Sequence, residues 1–328
     1  MSEIPEAPSP SLWQRMLRRL RDPMFWLRNP VSRIVLFVLM AFAIGWLLRK
    51  ALPAPRLDPQ QQLSLTGTTL WISALRALIP TALAYWLLVR VIERRPVTEL
   101  TPAKLLPHAG VGWLVGMGIM LVAAALMALT GAYRVTGMNE AVNLLTPLIV
   151  LGVLPGITEE IIFRGVLFRV VEDGLGTWFA LVLSGLLFGA AHLANPNATW
   201  WTSLAIAIEA GLLLGLAYAW TRSLWFCMGL HAAWNFTQGP LLGIAVSGIE
   251  LKGWLQASTQ GPMLLSGGEF GAEASLLTVV LCTSLAAWFG VKAMRVGRIR
   301  PPFWRRPEMA LAPAAAAPTT TADAAAAE

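Results

Sequence analysis

The sequence predicts an all-α fold: a polytopic transmembrane helical bundle of about eight helices with an intramembrane polar cavity. Three observations predict it. Of 328 residues, 56% are hydrophobic and only 13% are charged, and the mean hydropathy is +0.61, which lies outside the usual balance of soluble domains. Apolar runs approaching twenty residues recur along the chain, each enough for about 30 Å of hydrocarbon at a rise of about 1.5 Å per residue. Finally, a few ionisable and amide side chains interrupt these runs. A charge there costs roughly 2.5–3.5 kcal/mol on insertion scales, so each needs a partner or water.

Residues 1–33 form a polar, Pro-containing arm with Arg15, Arg18, Arg19, Arg21, Arg28 and Arg33, the composition of a cytoplasmic segment beside anionic lipid. The transmembrane domain is expected over 34–300. Its first run, Ile34 to Leu48, has the length of a signal-peptide core, but Leu48, Arg49 and Lys50 follow it instead of a small-residue cleavage site. It therefore reads as an uncleaved helix with Arg33 and Arg49 snorkelling at its ends. Further spans are predicted at Thr69 to Val89, Gly110 to Leu129, Val142 to about Val171, Trp178 to Leu193, Trp200 to Trp220, Leu224 to Val246 and Ala274 to Val291. Arg76 falls inside the second and is expected near an interface. The tail over 301–328, ending "PAAAAPTTTADAAAAE", reads as low-complexity and disordered.

Charge placement sets orientation and excludes some partners. With the amino terminus inside, the inner segments hold eighteen Lys and Arg: the six of the arm, then Arg90, Arg94, Arg95, Lys104, Arg169 and Arg222, and six from Lys292 to Arg306. The outer segments hold five: Arg49, Lys50, Arg56, Arg134 and Lys252. This bias predicts both termini in the cytoplasm of a multi-pass protein of the cell membrane, with a bacterial inner membrane favoured. The net charge of +7 and pI near 10.1 do not indicate nucleic acid, because the bases cap apolar runs and do not interleave with aromatics. Cys227 and Cys282 both fall in apolar spans and imply neither a disulfide framework nor a paired-cysteine metal site.

The residues out of place in lipid are Glu159, Glu160 and Arg164 on the fourth span, His192 on the fifth, Glu209 on the sixth, and His231 with Asn235 on the seventh. Residues four apart share a helix face, so Glu160 should pair with Arg164. Glu159, about 100° away around the helix, is left as a free carboxylate. The same spacing stacks Phe188 over His192 and puts His231 and Asn235 on one face. Counted from the inner ends, Glu159 and His192 lie roughly 20 Å deep, Asn235 roughly 18 Å and His231 roughly 12 Å. Pro155 and Gly156 should loosen the fourth helix and free backbone groups, which a membrane protein tolerates beside a cavity. Glu209, with no spaced partner, is expected to hydrogen-bond between helices. His108 reads as incidental, and Glu269 and Glu273 as solvated in a Gly-rich external loop.

A carboxylate and an imidazole sharing a water can deprotonate it for attack on a carbonyl carbon. A second imidazole and a carboxamide can donate to the developing oxyanion. The same polar set could instead glue helices through hydrogen bonds.

Three stretches carry a specific resemblance. "EEIIFR" at 159–164 fits EExxxR, "FGAAH" at 188–192 fits FxxxH, and "HAAWN" at 231–235 fits HxxxN. In this order they resemble the type II CAAX prenyl endopeptidase and bacteriocin-processing family of intramembrane proteases, over a protease-like core of 142–240. The resemblance implies that Glu159 is the catalytic glutamate and that His192 helps it activate water. It also implies that His231 and Asn235 stabilise the oxyanion while Glu160, Arg164 and Phe188 support them. It further implies a cavity open toward the cytosolic leaflet and a membrane-associated or apolar peptide or protein as substrate. Two histidines and a carboxylate could hold zinc, but no HExxH pair is present, and the glutamate mechanism uses the four residues without an ion. The favoured reading has no cofactor, with zinc as the alternative. The competing functions are a non-proteolytic membrane scaffold or bacteriocin-immunity factor using the same cavity, and a proton-coupled transporter relaying through Glu159.

Overall fold

A computed structural model describes residues 27, 29–54 and 57–306. Most of the basic arm and of the tail, residues 1–26, 28 and 307–328, lies outside the described residues. Among the described residues seven helices are long and apolar enough to cross a membrane: α1 Pro30–Ala51, α2 Gly67–Ile92, α3 Pro102–Leu129, α4 Leu145–Leu175, α5 Thr177–Ala194, α6 Trp200–Thr221 and α8 Leu276–Arg295. Between α6 and α8 runs α7, Leu224–Phe236, continued by a π-helical turn over Thr237–Leu241. A bilayer cannot satisfy loose backbone groups, so apolar runs of this length become helices and the bundle follows. The protein is a multi-pass, all-α membrane protein.

Local chemistry sets the helix ends. Asn29 Oδ1 accepts from the Val31 N–H at 2.9 Å, and Pro30 supplies a first residue that needs no acceptor. Thr199 and Thr202 form a reciprocal capping box at the start of α6, and the Ser275 hydroxyl caps α8 through the Leu277 N–H. Arg76, within α2, donates to the Ala54 carbonyl, three residues past the end of α1, at 3.1 Å.

Helix α6 is the central strut, with 78% of its apolar window buried, whereas α1 is peripheral at 17%. Exposed Trp71, Trp86, Leu106, Leu114, Phe179, Val182 and Val280 form the outer apolar surface of the bundle. Small residues let α3 and α7 touch backbone to backbone. Gly112 and Gly116 lie directly against the carbonyls of Phe226 and Leu230, and Gly229 lies against the backbone of Ala109. Gly156 of α4 meets Ala232 from the other side, so α7 is gripped between two helices.

The two ends of the bundle differ. At the end where α1 starts, Glu93 gathers Arg33, Arg95 and Arg169 at 3.3, 2.8 and 2.9 Å. Glu172 pairs with Arg222, and Asp173 with Arg33 and Arg300. Glu99 takes Arg95 at 2.7 Å and the Tyr85 hydroxyl. Burial alone would push Glu99 up, but hydrogen bonds from Arg95 and Tyr85 and the Arg95 charge hold it down at about 2. The other end carries β1 Tyr133–Met138 and β2 Leu255–Thr259, an antiparallel ribbon with an irregular register between Val135 and Gly137. The ribbon was not expected from the sequence, which shows only short polar stretches there. Tyr133 anchors it by donating to the Leu242 carbonyl at 2.7 Å.

Candidate active site

The fourth helix carries the acids, and its irregularity prepares the site. Pro155 has no N–H to offer the Leu151 carbonyl four residues back, which lies in a π-helical stretch, Leu148–Val153. Asn235 Nδ2 of α7 donates to that carbonyl at 2.8 Å. The backbone group that the proline releases is thus what orients the asparagine. A second π-helical stretch, Ala207–Leu212 in α6, contains the Ala210 carbonyl, which takes Arg164 Nη2 at 2.8 Å.

Glu160 and Arg164 pair at 2.9 Å with both side chains almost fully enclosed, as their spacing predicts. The guanidinium also sits over the Phe188 ring, 4.7 Å from its centroid. Glu160 Oε1 receives a second bond from His231 Nδ1 at 2.9 Å. A carboxylate can only accept, so that nitrogen carries the proton and Nε2 is left free. His192 Nδ1 lies 2.8 Å from the Phe188 carbonyl, which fixes its tautomer by the same reasoning and leaves Nε2 as a lone-pair base. Phe188 lies between the two imidazoles, with centroids 4.8 Å from His192 and 6.3 Å from His231. Glu159 is half-buried, and its Oε2 is enclosed without a hydrogen-bond partner.

Phe188, His192, His231 and Asn235 line one cavity of about 30 Å³. Glu159, Glu160 and Arg164 do not line it; Glu160 reaches its wall through His231. A volume of this size holds about one water and no residue of a peptide. The acid that pairs with an imidazole is Glu160, and no hydrogen bond joins Glu159 to either histidine. Ser247 and Glu273, from the segment joining α7 to α8, complete the wall. They meet His192 there because it sits at the last turn of α5, which is 18 residues long.

Glu273 corrects an expectation. It is 1% exposed, not solvated, and accepts from Gln238 and from the Ser247 N–H and hydroxyl, the last at 2.8 Å. Burial pushes it up to about 7, against the pull of those hydrogen bonds. Gln238 in turn accepts from Trp234 Nε1 at 3.1 Å, so the acid steadies the end of α7 beyond Asn235. No spacing signal marked Glu273, because its burial depends on Gly271 turning back at φ +126° against the Ala245 carbonyl. Glu209 is also corrected: it is fully buried, but neither oxygen has a hydrogen-bond partner. His108 lies apart from this cavity, beside Lys104 and Arg298.

Among the described residues, no three His, Cys, Asp or Glu side chains come together as a metal-ligand group. His231 Nδ1 is held by Glu160, and one of the two N–H groups of the Asn235 amide is held by the Leu151 carbonyl. His192 Nε2 and His231 Nε2 are both left without a partner, and among the described residues no third His, Cys, Asp or Glu joins them as a ligand group.

A 24.3 kDa Escherichia coli protein, named only as uncharacterized, is 27% identical over 203 residues, covering 58% of this chain and 87% of its own length. Residues 141–237, which carry all seven of the predicted side chains, match the family described as type II CAAX prenyl endopeptidase Rce1-like, and over that segment the chain is similar to the intramembrane proteases its motifs resemble.

Proposed function

We propose that the protein is an intramembrane endopeptidase of the CAAX-protease-like kind, hydrolysing a peptide bond of a membrane-associated or apolar peptide. One observation carries the reading: His192, His231 and Asn235, from two separate motifs, line a single cavity of about one water's volume, while Glu159 of the first motif keeps an enclosed oxygen without a partner. Helix glue would have left the imidazole nitrogens spent on one another. Here each Nε2 is free.

Glu159, with His192 Nε2, takes a proton from a water whose oxygen forms the new bond to the carbonyl carbon. His231 Nε2 and the Asn235 amide face the oxygen that gains charge, and Glu160 supports the imidazolium form of His231 as a donor. The proton then passes to the leaving nitrogen as the carbon–nitrogen bond breaks. No outside reductant, oxidant or ion enters this balance. The basic end is assigned to the cytoplasm of the cell membrane on the strength of the Lys and Arg bias.

The paired substitutions Glu159→Ala and His192→Ala test the reading. Loss of peptide cleavage with both variants supports it, and full cleavage by either overturns it. The scaffold alternative predicts unchanged partner binding and no cleavage by the parent protein.

A further inference from the structure

The catalytic cavity takes about one water, so a peptide must first be held elsewhere. A second concavity, of about 440 Å³, lies at the loop end of the bundle, and its size is that of a ligand site. Five consecutive residues, 257–261, form one side of it. Side chains of a strand alternate between faces, so a groove beneath one face would be lined by every second residue. Consecutive lining means that the groove follows the strand's backbone edge. Among the described residues the sheet has two strands, so β2 pairs with β1 alone and its other edge has no strand partner there. Such an edge is a template for an added strand, and the three lining residues that belong to β2, 257–259, offer about 10 Å of it.

The opposite side is the turn 243–245 with Glu250. Gly243 closes the near end: at φ +68° it lies directly against the Leu255 carbonyl, where a Cβ would collide. Glu250 and Glu269 are the charged residues of the lining, and both are exposed; Lys, Arg and His are absent from it. The same turn also walls the catalytic cavity. The Ala245 carbonyl accepts from Gln238 Nε2 at 2.6 Å, and Ser247, two residues on, lines the cavity with Glu273.

Resting on the hydrolytic reading above, we propose that this groove recruits the substrate: an extended, basic peptide segment adds as a strand to the free edge of β2. Its Lys or Arg side chains meet Glu250 and Glu269, and its adjoining residues pass the 243–247 turn toward His192 and His231. The substrate class is therefore an unstructured cationic stretch next to the cleaved bond, delivered at the end of the bundle opposite the basic one.

Binding to the Glu159→Gln protein in nanodiscs tests this without cleavage. The probes are three fluorescein-labelled octapeptides: a Lys-containing one, its Asp-containing counterpart, and the Lys peptide N-methylated at alternate residues. The Lys peptide is expected to bind about tenfold tighter than either of the others, and Glu250→Lys with Glu269→Lys should reverse the charge preference at an unchanged melting temperature. Equal binding of the three peptides, no binding, or indifference to the double substitution overturns the proposal. If the peptides bind as expected but the parent protein leaves them intact, the groove stands and the hydrolytic reading falls. If cleavage proceeds without regard to charge or N-methylation, the hydrolytic reading stands and the groove falls.

Discussion

Glu160 Oε1 and His231 Nδ1, 71 residues apart in the chain, lie 2.9 Å from each other, and the same oxygen also holds Arg164. One carboxylate atom thus ties the first motif to the third. Removing one member of a buried ion pair strands the other, at a cost of about 3–5 kcal/mol. Arg164→Leu should therefore melt well below the parent protein in detergent, and adding Glu160→Leu should recover only part of the loss, because the buried His231 Nδ1–H then loses its acceptor. Equal melting of the single variant and the parent would remove the pair from the stability of the bundle.

Asn235 and Pro155 should show a structural coupling separable from chemistry. Asn235→Ala leaves the Leu151 carbonyl without its donor, at a cost of about 1–3 kcal/mol. Pro155→Ala restores an N–H that can bond it within α4. The double variant should regain thermal stability yet remain unable to cleave peptide, if the asparagine also faces the oxyanion.

The contact of α3 with α7 depends on absent side chains. Gly116→Leu would drive a side chain into the Leu230 backbone and should cost more than about 3 kcal/mol, seen as loss of monodisperse protein. Gly118 has open space around its would-be Cβ, so Gly118→Leu should be tolerated. Equal behaviour of the two variants would show that the helices do not meet as described.

Acid should unlock the basic end. Glu99 is held at about 2, below its unfolded value of 4.5, so its contribution is complete above pH 4.5 and is lost as pH falls toward 2. The 2.5-unit difference sets that contribution at about 3 kcal/mol. The parent protein should lose melting temperature across that window more steeply than Glu99→Gln, and parallel curves would contradict the assignment.

Glu273→Ala releases Ser247 of the cavity wall and, behind it, Gln238. Turnover should fall about tenfold, with Glu273→Asp retaining part of it, because what matters is an acceptor at that place. Activity within twofold of the parent for Glu273→Ala would make the residue a bystander.

The helices were legible in the sequence because hydrocarbon leaves an apolar run no other fold, and the Glu160–Arg164 pair because spacing within one helix determines it. The partner of His231 was not, since which acid meets a side chain 71 residues away depends on the rotation of two packed helices, which no local pattern encodes. Pro155 signalled a freed carbonyl but not who would claim it. Glu273 and β2 were missed for a common reason: both lie in the Gly-rich connection of α7 to α8, whose folding back is driven by tertiary contact, for β2 with the short β1 between α3 and α4 and for Glu273 with the cavity wall.

Cleavage of a peptide library by the purified protein, with a chelator arm and the Glu159→Gln variant in parallel, tests the central claim most directly. Cleavage that survives chelation and vanishes in Glu159→Gln is the expected result. Cleavage that persists in Glu159→Gln, or that chelator abolishes, would contradict the account of a carboxylate working on water without a metal.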